Sequence, residues 1–148
     1  MAGFTIDKLL DSPTTRAIEL SAKFAEQRQK MLAENVANID TPDYHQQQLD
    51  PKQFQKSLAD ALQRAKATRG GRIDLQGDAQ VRLDARGDVV VHPDEEPAPN
   101  ALFHDGTNAR LETLMTDVQQ NALSYTMALN LLRARYSDLL TAIRGTVR

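Results

Sequence analysis

Apolar residues recur at helical spacing over the first part of the chain. Ser12-Pro13 reads as a helix start, with the serine as N-cap and the proline as the first helical residue. The apolar positions that follow have heptad-like spacing: Ala17, Leu20, Phe24 and Met31, with Ile18, Ala25 and Leu32 beside them. The pattern predicts a helix from about Pro13 to Asn38, since Pro42 disfavours helical geometry at the residue before it.

A second, shorter amphipathic stretch follows the Thr-Pro turn. Asp50 suits an N-cap, Pro51 suits the first helical position, and Gln53 completes a pattern like a capping box. Its apolar stripe consists of Phe54, Leu58, Ala61, Leu62 and Ala65. We expect a helix from Pro51 to about Ala67.

The C-terminal stretch has the most regular pattern. Three neighbouring rows repeat every seven residues: Leu111, Val118, Tyr125, Leu132 and Leu139; Leu114, Asn121, Ala128, Arg135 and Ala142; Met115, Ala122, Leu129, Tyr136 and Ile143. They predict one helix from about Ala109 to Arg144. Its length is about 54 Å, against about 39 Å for the first helix, at about 1.5 Å per residue. The two can pair as a coiled coil, and the uncovered, apolar end of the longer helix predicts assembly with another partner.

Helical periodicity is absent between Gly70 and Gly106, which contain five of the seven glycines. The alternation in VRLDARGDVVV around Gly87 predicts a short β-hairpin. The acidic stretch HPDEEPAPN that follows is typical of a mobile loop.

The expected fold is mainly α, with long N- and C-terminal helices pairing as a coiled coil. A shorter helix follows the Thr-Pro turn, and a small irregular segment with a β-hairpin lies in the centre. We divide this elongated unit into an N-terminal segment, 1–12; the first helix, turn and second helix, 13–67; a flexible central segment, 68–108; and the long helix, 109–148.

Composition narrows the functional classes. The net charge of −2 argues against a nucleic-acid-binding face, which needs clustered Lys and Arg. Aromatic residues make up 5% and Trp is absent, which favours extended helices or assembly over a compact globule. Without cysteine there are no disulfides or thiolate metal sites. We expect no cleaved signal peptide and no membrane span, because no suitable apolar run is present.

Side chains that carry chemistry are scattered. His45, His92 and His104 lie far apart in predicted loops, so exposed structural histidines are favoured over a metal or acid–base role. Asp94-Glu95-Glu96 lacks the ligand spacing of a calcium loop, and the glycine of Arg86-Gly87-Asp88 is explained as a turn residue. We expect no catalytic, cofactor-binding or metal-binding residues, and therefore no enzyme.

Three amide side chains stand out at helix positions. Asn35 and Asn38 are three residues apart, so they project from one helical face. Asn121 lies on the seam of the long helix, where a buried amide costs stability and is best explained by fixing register or partner choice. The alternative is that Asn38 caps the first helix and Asn35 faces water.

The stretch LAENVANIDTPDY resembles the signature of the bacterial flagellar rod-and-hook axial protein family. The matching positions are Asn35, Ala37, Asn38, Thr41, Pro42 and Tyr44. The short chain is most similar to proximal-rod members, and DGTNARLETLM resembles the entry into their last helix. The similarity covers residues 13–62 and 102–143. The chain departs from the pattern at Asp43, where the family has glycine, and at Ala109 and Arg110.

The resemblance implies a structural subunit of the flagellar basal-body proximal rod. Its helices would stack with other rod proteins and the rod–ring junction protein, transmitting torque around the export channel. The flagellar type III apparatus would export it uncleaved into the periplasm-spanning rod. The expected subunit and coiled-coil interface comprises Leu20, Phe24, Met31, Leu111, Leu114, Met115, Val118, Asn121, Tyr125, Leu129, Leu132, Tyr136, Leu139 and Ile143.

A helical adaptor or type III export chaperone in the cytoplasm is the competing interpretation, because an amphipathic helix can also bind a partner helix in a groove. A chaperone should be a folded dimer in isolation. A rod subunit should have mobile termini until it assembles.

Overall fold

The computed structural model describes residues 12–68, 71–76, 78–95 and 106–145, and for 106–109 the backbone alone. The helices are α1 (Pro13–Ala37), α2 (Pro51–Ala67) and α3 (Gly106–Arg144). The short strands are β1 (Gln47–Gln48), β2 (Val81–Leu83), β3 (Val89–Val91) and β4 (Asp94–Glu95). The mainly α fold with two long terminal helices and a small hairpin is confirmed. The predictions for residues 1–11, for Glu96 and for His104 lie outside the described residues.

Helix α1 begins at the predicted cap. The Ser12 hydroxyl accepts a hydrogen bond from the Thr15 backbone N–H at 3.1 Å, satisfying one donor that a helix start leaves unpaired. The helix ends at Ala37, one residue before the predicted limit, because Asn38 leaves helical geometry as the C-cap.

Helix α2 has the predicted limits, and its start has a different hydrogen-bond arrangement. The Asp50 carboxylate accepts from the backbone N–H groups of Lys52 and Gln53 at 2.8 and 3.3 Å. A capping box would return the Gln53 side chain to the Asp50 N–H. Instead the Asp50 N–H donates to Gln80 Oε1 at 2.9 Å, and Gln53 Nε2 donates to Asp78 Oδ1 at 3.4 Å. The start of α2 is thereby tied to the segment before the hairpin.

Two antiparallel ladders organise the centre of the chain. In the predicted hairpin, Val81 pairs with Val91 and Leu83 with Val89. Gly87 has φ of 84° in the turn, a geometry that glycine adopts without steric cost. The second ladder pairs β1 with β4. The prediction of a loop is therefore wrong for Asp94–Glu95, which form a strand paired with the stretch after the Thr-Pro turn.

Helix α1 lies at the centre of the packing. It contacts α3 along one side, and α2 and β3 elsewhere. Phe24 stacks on Phe54 of α2 with ring centroids 4.0 Å apart, and Leu20 is fully buried. Helices α1 and α3 are antiparallel, because Arg28 contacts Asp117 while the earlier Glu19 contacts the later Tyr136. Helix α3 starts three residues before the predicted Ala109 and ends at the predicted Arg144.

Candidate functional site

The corner after α1 is built around the side chain of Asn35, which is 1% exposed. Its Nδ2 donates to the Gln47 backbone carbonyl at 2.7 Å, and its Oδ1 accepts from the Gln47 N–H at 2.9 Å. The same Oδ1 accepts from the Tyr44 hydroxyl at 3.1 Å. The amide thus satisfies both backbone groups of one residue, as a neighbouring strand would. Asn35 does not face water, and it fastens β1 to the end of α1.

The turn itself depends on short-range bonds around Asn38. Asn38 Nδ2 donates to the Glu34 carbonyl at 2.9 Å, satisfying an acceptor in the last turn of α1. The Thr41 N–H donates to the Asn38 carbonyl at 3.0 Å, closing the turn before Pro42. Asp43 has φ of 60°, the left-handed region that Asp tolerates better than most residues. The chain therefore reverses here without the family's glycine.

The other signature positions differ in environment. Ala37 is the exposed last residue of α1, and Thr41 and Pro42 are also exposed. Tyr44 is half-buried; burial, and secondarily the negative charge of Glu34, raise the pKa of its hydroxyl. The hydroxyl therefore keeps its proton for the bond to Asn35.

The seam between α1 and α3 has an amide at its centre. Asn121 is 4% exposed, and its Nδ2 donates to the Ala25 carbonyl and to Gln29 Oε1, both at 2.8 Å. Both acceptors belong to α1. The two bonds of the amide can form only where Asn121 lies beside Ala25 and Gln29. Such a position-specific contact is what a side chain needs in order to fix the register of two helices.

An arginine that sequence reasoning missed also joins the two helices. Arg28 is 7% exposed; its Nε donates to the Leu49 carbonyl at 3.3 Å, and its Nη2 lies 3.4 Å from Asp117 Oδ1. It therefore links α1 to both the corner segment and α3. The sequence does contain a sign of this burial, because Arg28 lies on the apolar stripe of the helix, four residues after Phe24 and three before Met31.

The expected interface residues divide into three groups by exposure. The buried ones are Leu20, Phe24, Met31, Leu114 and Asn121. The half-buried ones are Val118, Tyr125, Leu129, Leu132 and Leu139, and the exposed ones are Leu111, Met115, Tyr136 and Ile143. Tyr136 reaches back to α1, where its hydroxyl donates to Glu19 Oε1 at 3.1 Å; that bond and the Glu19 charge raise the pKa of Tyr136.

A second apolar stripe of α3 faces away from α1. We call Leu123, Met127 and Leu131 the outer stripe; they are 71%, 62% and 47% exposed. They follow each other at intervals of four residues, so they lie along one face of the helix. Exposed apolar side chains that are contiguous in this way mark interaction surfaces in soluble proteins. These three residues lie outside the heptad rows that predicted the helix.

The hairpin is fastened to α1 by charged side chains. Arg16 donates to the Gly87 carbonyl, and Lys23 pairs with Asp88. The hydrogen bond and charge of Lys23 hold the pKa of Asp88 below its usual value. Beneath these contacts Val81 and Val89 are buried in the core.

Neither metal chemistry nor a membrane span is indicated in the described part of the chain. It contains no group of three or more His, Cys, Asp or Glu side chains that could hold a metal ion. Within the same residues, no helix combines the length and apolarity needed to cross a bilayer. His45 and His92 are exposed.

Two curated proteins match most of the chain. The flagellar basal body rod protein FlgB of Salmonella typhimurium is 25% identical over 126 residues, which is 80% of this chain and 84% of that protein. The protein of the same name in Bacillus subtilis is 25% identical over 139 residues, covering 92% and 97%. The chain is similar to FlgB over most of its length. No protein-family model and no solved structure matches it.

The similarity to FlgB extends well beyond the signature. The alignment with the Bacillus protein covers nearly the full length of both chains, so it includes the central segment that the sequence resemblance left unmatched. The predicted relation to flagellar rod proteins is thereby confirmed. The corner involves the first terminal helix of the chain, and the α1–α3 seam involves both.

Proposed function

We propose that the chain is a non-enzymatic structural subunit of the flagellar basal-body proximal rod. Its similarity to two FlgB proteins supports this assignment. In this proposal residues 13–67 and 109–148 form the assembling part of one elongated unit, and residues 68–108 are its central segment with the β-hairpin. Its partners are other rod proteins and the rod–ring junction protein, and the type III apparatus exports it without a cleaved signal peptide.

The outer stripe is the observation that carries the proposal. Helix α1 fills one face of α3, whereas Leu123, Met127 and Leu131 remain exposed on the other. Burying apolar area of this kind gives about 25 cal/mol per Å². A helix with two apolar faces can contact its own α1 and a neighbouring subunit at once. Repeating such a head-to-tail contact produces an open helical assembly, the form needed to surround an export channel and transmit torque.

Variants of the outer stripe test the proposal in the living bacterium. Leu123→Glu combined with Met127→Glu should preserve the fold, since both positions are exposed, and should abolish motility and incorporation into basal bodies. The matched control is Gln55→Glu with Ala59→Glu, which adds the same charge at the same four-residue spacing on exposed positions of α2. We expect the control to swim normally. Normal swimming by the stripe variant would refute the assembly role of this face.

A further inference from the structure

The methionine side chains of the described residues differ widely in exposure. Met31 is 5% exposed in the core, whereas Met115 and Met127 on α3 are 47% and 62% exposed. A methionine sulfur must meet the oxidant in order to be oxidised, so its reactivity follows its exposure. Met127 should therefore react fastest of the three and Met31 slowest.

Met127 also occupies the centre of the outer stripe. Leu123 lies four residues before it and Leu131 four residues after it, and both are exposed. The hydroxyls of the neighbouring Ser124 and Thr126 each donate to a backbone carbonyl of α3 at 2.9 Å. A new acceptor on the Met127 side chain would therefore lie between two leucines, with both hydroxyls already committed to the helix.

We propose that Met127 is a reversible oxidation site that controls assembly of the subunit, which rests on the proposed function of the outer stripe. The oxidant is a peroxide, with hydrogen peroxide as the simplest case. The sulfur forms a bond to one peroxide oxygen, the O–O bond breaks, and the other oxygen leaves as water after the proton moves to it. The thioether is oxidised to a sulfoxide and the peroxide is reduced. Enzymatic reduction of the sulfoxide restores the thioether.

The sulfoxide alters the outer stripe without altering the fold. In the free subunit the S=O group of Met127 is hydrated, because the side chain is exposed. In a contact between apolar faces the same group loses its water, and burying a polar group without a hydrogen bond is unfavourable. We expect the oxidised subunit to be incorporated less often by about tenfold or more. Assembly covers the sulfur, so oxidation acts on the free subunit.

Competition between oxidised and reduced copies in one cell tests this role of Met127. Flagellated cells receive a pulse of hydrogen peroxide while newly made chains are labelled with heavy isotopes. Hook–basal bodies and the soluble fraction are then analysed by peptide mass spectrometry, with free methionine added at lysis as a scavenger. Met127 sulfoxide should be depleted in the basal bodies by about tenfold or more relative to the soluble pool. Met31 should stay reduced in both fractions.

Three variants separate the site from general peroxide damage. For each one, incorporation with peroxide is divided by incorporation of the same variant without it. This ratio should fall for the wild type and for Met115→Leu, which keeps the reactive sulfur of Met127, and should stay near one for Met127→Leu. Met127→Gln places a polar amide where the sulfoxide would be, so it should be incorporated poorly without peroxide while its helix content by circular dichroism is unchanged.

The outcomes distinguish the oxidation site from the assembly role beneath it. Equal sulfoxide fractions at Met127 in the two cell fractions would overturn the oxidation site alone. The same follows if peroxide lowers the incorporation of Met127→Leu as much as that of the wild type. Absence of the untreated wild-type chain from basal bodies would instead overturn the proposed function, and the oxidation site with it.

Discussion

The Asn35 side chain replaces the backbone of a neighbouring strand at the corner, because it bonds both backbone groups of Gln47. Its side chain makes a donor and an acceptor bond to Gln47, and Tyr44 adds a third bond. The Asn35 side chain is 1% exposed, so its amide is shielded from bulk water. Asn38, three residues later in the same signature, is partly exposed, and its side chain donates to the Glu34 carbonyl of α1. The two asparagines are therefore expected to differ in how much each contributes to the free energy of unfolding.

Asn35→Ala should lower the free energy of unfolding by about 2 kcal/mol, because the part-buried backbone N–H and carbonyl of Gln47 lose their Asn35 partners. Asn38→Ala should cost about 0.5–1 kcal/mol, the usual range for a lost capping bond near water. Urea denaturation monitored by circular dichroism measures both. Equal losses in the two variants would show that the Asn35 bonds carry no special weight.

At the scale of the elements, the α1–α3 seam combines two different devices. Apolar side chains such as Leu114 supply burial, whereas Asn121 and Arg28 supply bonds whose partners occur at defined places on the other helix. An apolar contact can be remade one heptad along, but the amide cannot find Ala25 and Gln29 together elsewhere. The seam is therefore expected to gain register from its polar residues at the expense of some stability.

Asn121→Leu should leave helix content and stability unchanged or raised, because it replaces a buried amide on the seam by an apolar side chain. It should instead allow alternative registers and impair motility. Spin labels at the exposed positions Glu26 and Gln120 report the register as a distance distribution. A second distance population is expected in the variant. A single unchanged distance with normal motility would contradict the register role.

The hairpin depends on charge as well as on its valines. Asp88 is held ionised by Lys23, with Arg16 and Arg86 as further positive charges. Because the folded-state pKa of Asp88 lies below its ordinary value, ionisation stabilises the hairpin at pH above about 3.9. This stabilisation is lost as the pH falls through the lowered pKa.

Acidification from about pH 6 to about pH 3 should therefore increase amide exchange at β3, after correction for the intrinsic pH dependence of exchange. Asp88→Asn should show the faster opening at both pH values. Hydrogen exchange followed by NMR at Val89 and Val91 provides the measurement. The same acid response in wild type and Asp88→Asn would assign the effect to other carboxylates, such as Asp84 in the turn.

Local signals explain which elements could be predicted. Ser12-Pro13 and Asp50-Pro51 mark the starts of α1 and α2 because capping is decided by neighbouring residues. The β1–β4 ladder could not be found in this way: its strands are two residues long and 47 positions apart, and neither alternates. The partners of Asn35 and Asn121 were missed for the same reason, since they depend on how the chain folds back. The outer stripe was not recognised in the sequence, because the heptad rows beside it contain more apolar residues.

At the scale of the whole molecule, the two long helices differ in length, so they differ in how much of each is packed against other elements. Helix α1 has 25 residues and α3 has 39. From Arg133 to Arg144, every α3 side chain is exposed except the half-buried Leu139. Helices without tertiary packing are marginally stable in water. The C-terminal part of α3 should thus be the least stable helical segment of the isolated chain.

Hydrogen exchange with mass spectrometry should find rapid exchange in residues 133–144 of the isolated protein and slow exchange around Asn121. The difference is expected because the α3 residues that are buried, Leu114, Asn121 and Ala128, all lie before residue 133. Strong protection of both terminal helices in a stable dimer would favour the export chaperone instead. Protection of residues 133–144 should appear when the subunit assembles.

The most direct test of the structural role is the location of the protein. Hook–basal bodies should be purified from detergent-lysed flagellated cells and analysed by quantitative mass spectrometry, with the soluble cytoplasmic fraction alongside. We expect that the chain co-purifies with the rod at its full length, and that Leu123→Glu with Met127→Glu removes it from that fraction. Recovery of the wild-type chain in the cytoplasmic fraction alone, with intact basal bodies lacking it, would contradict a structural role in the rod.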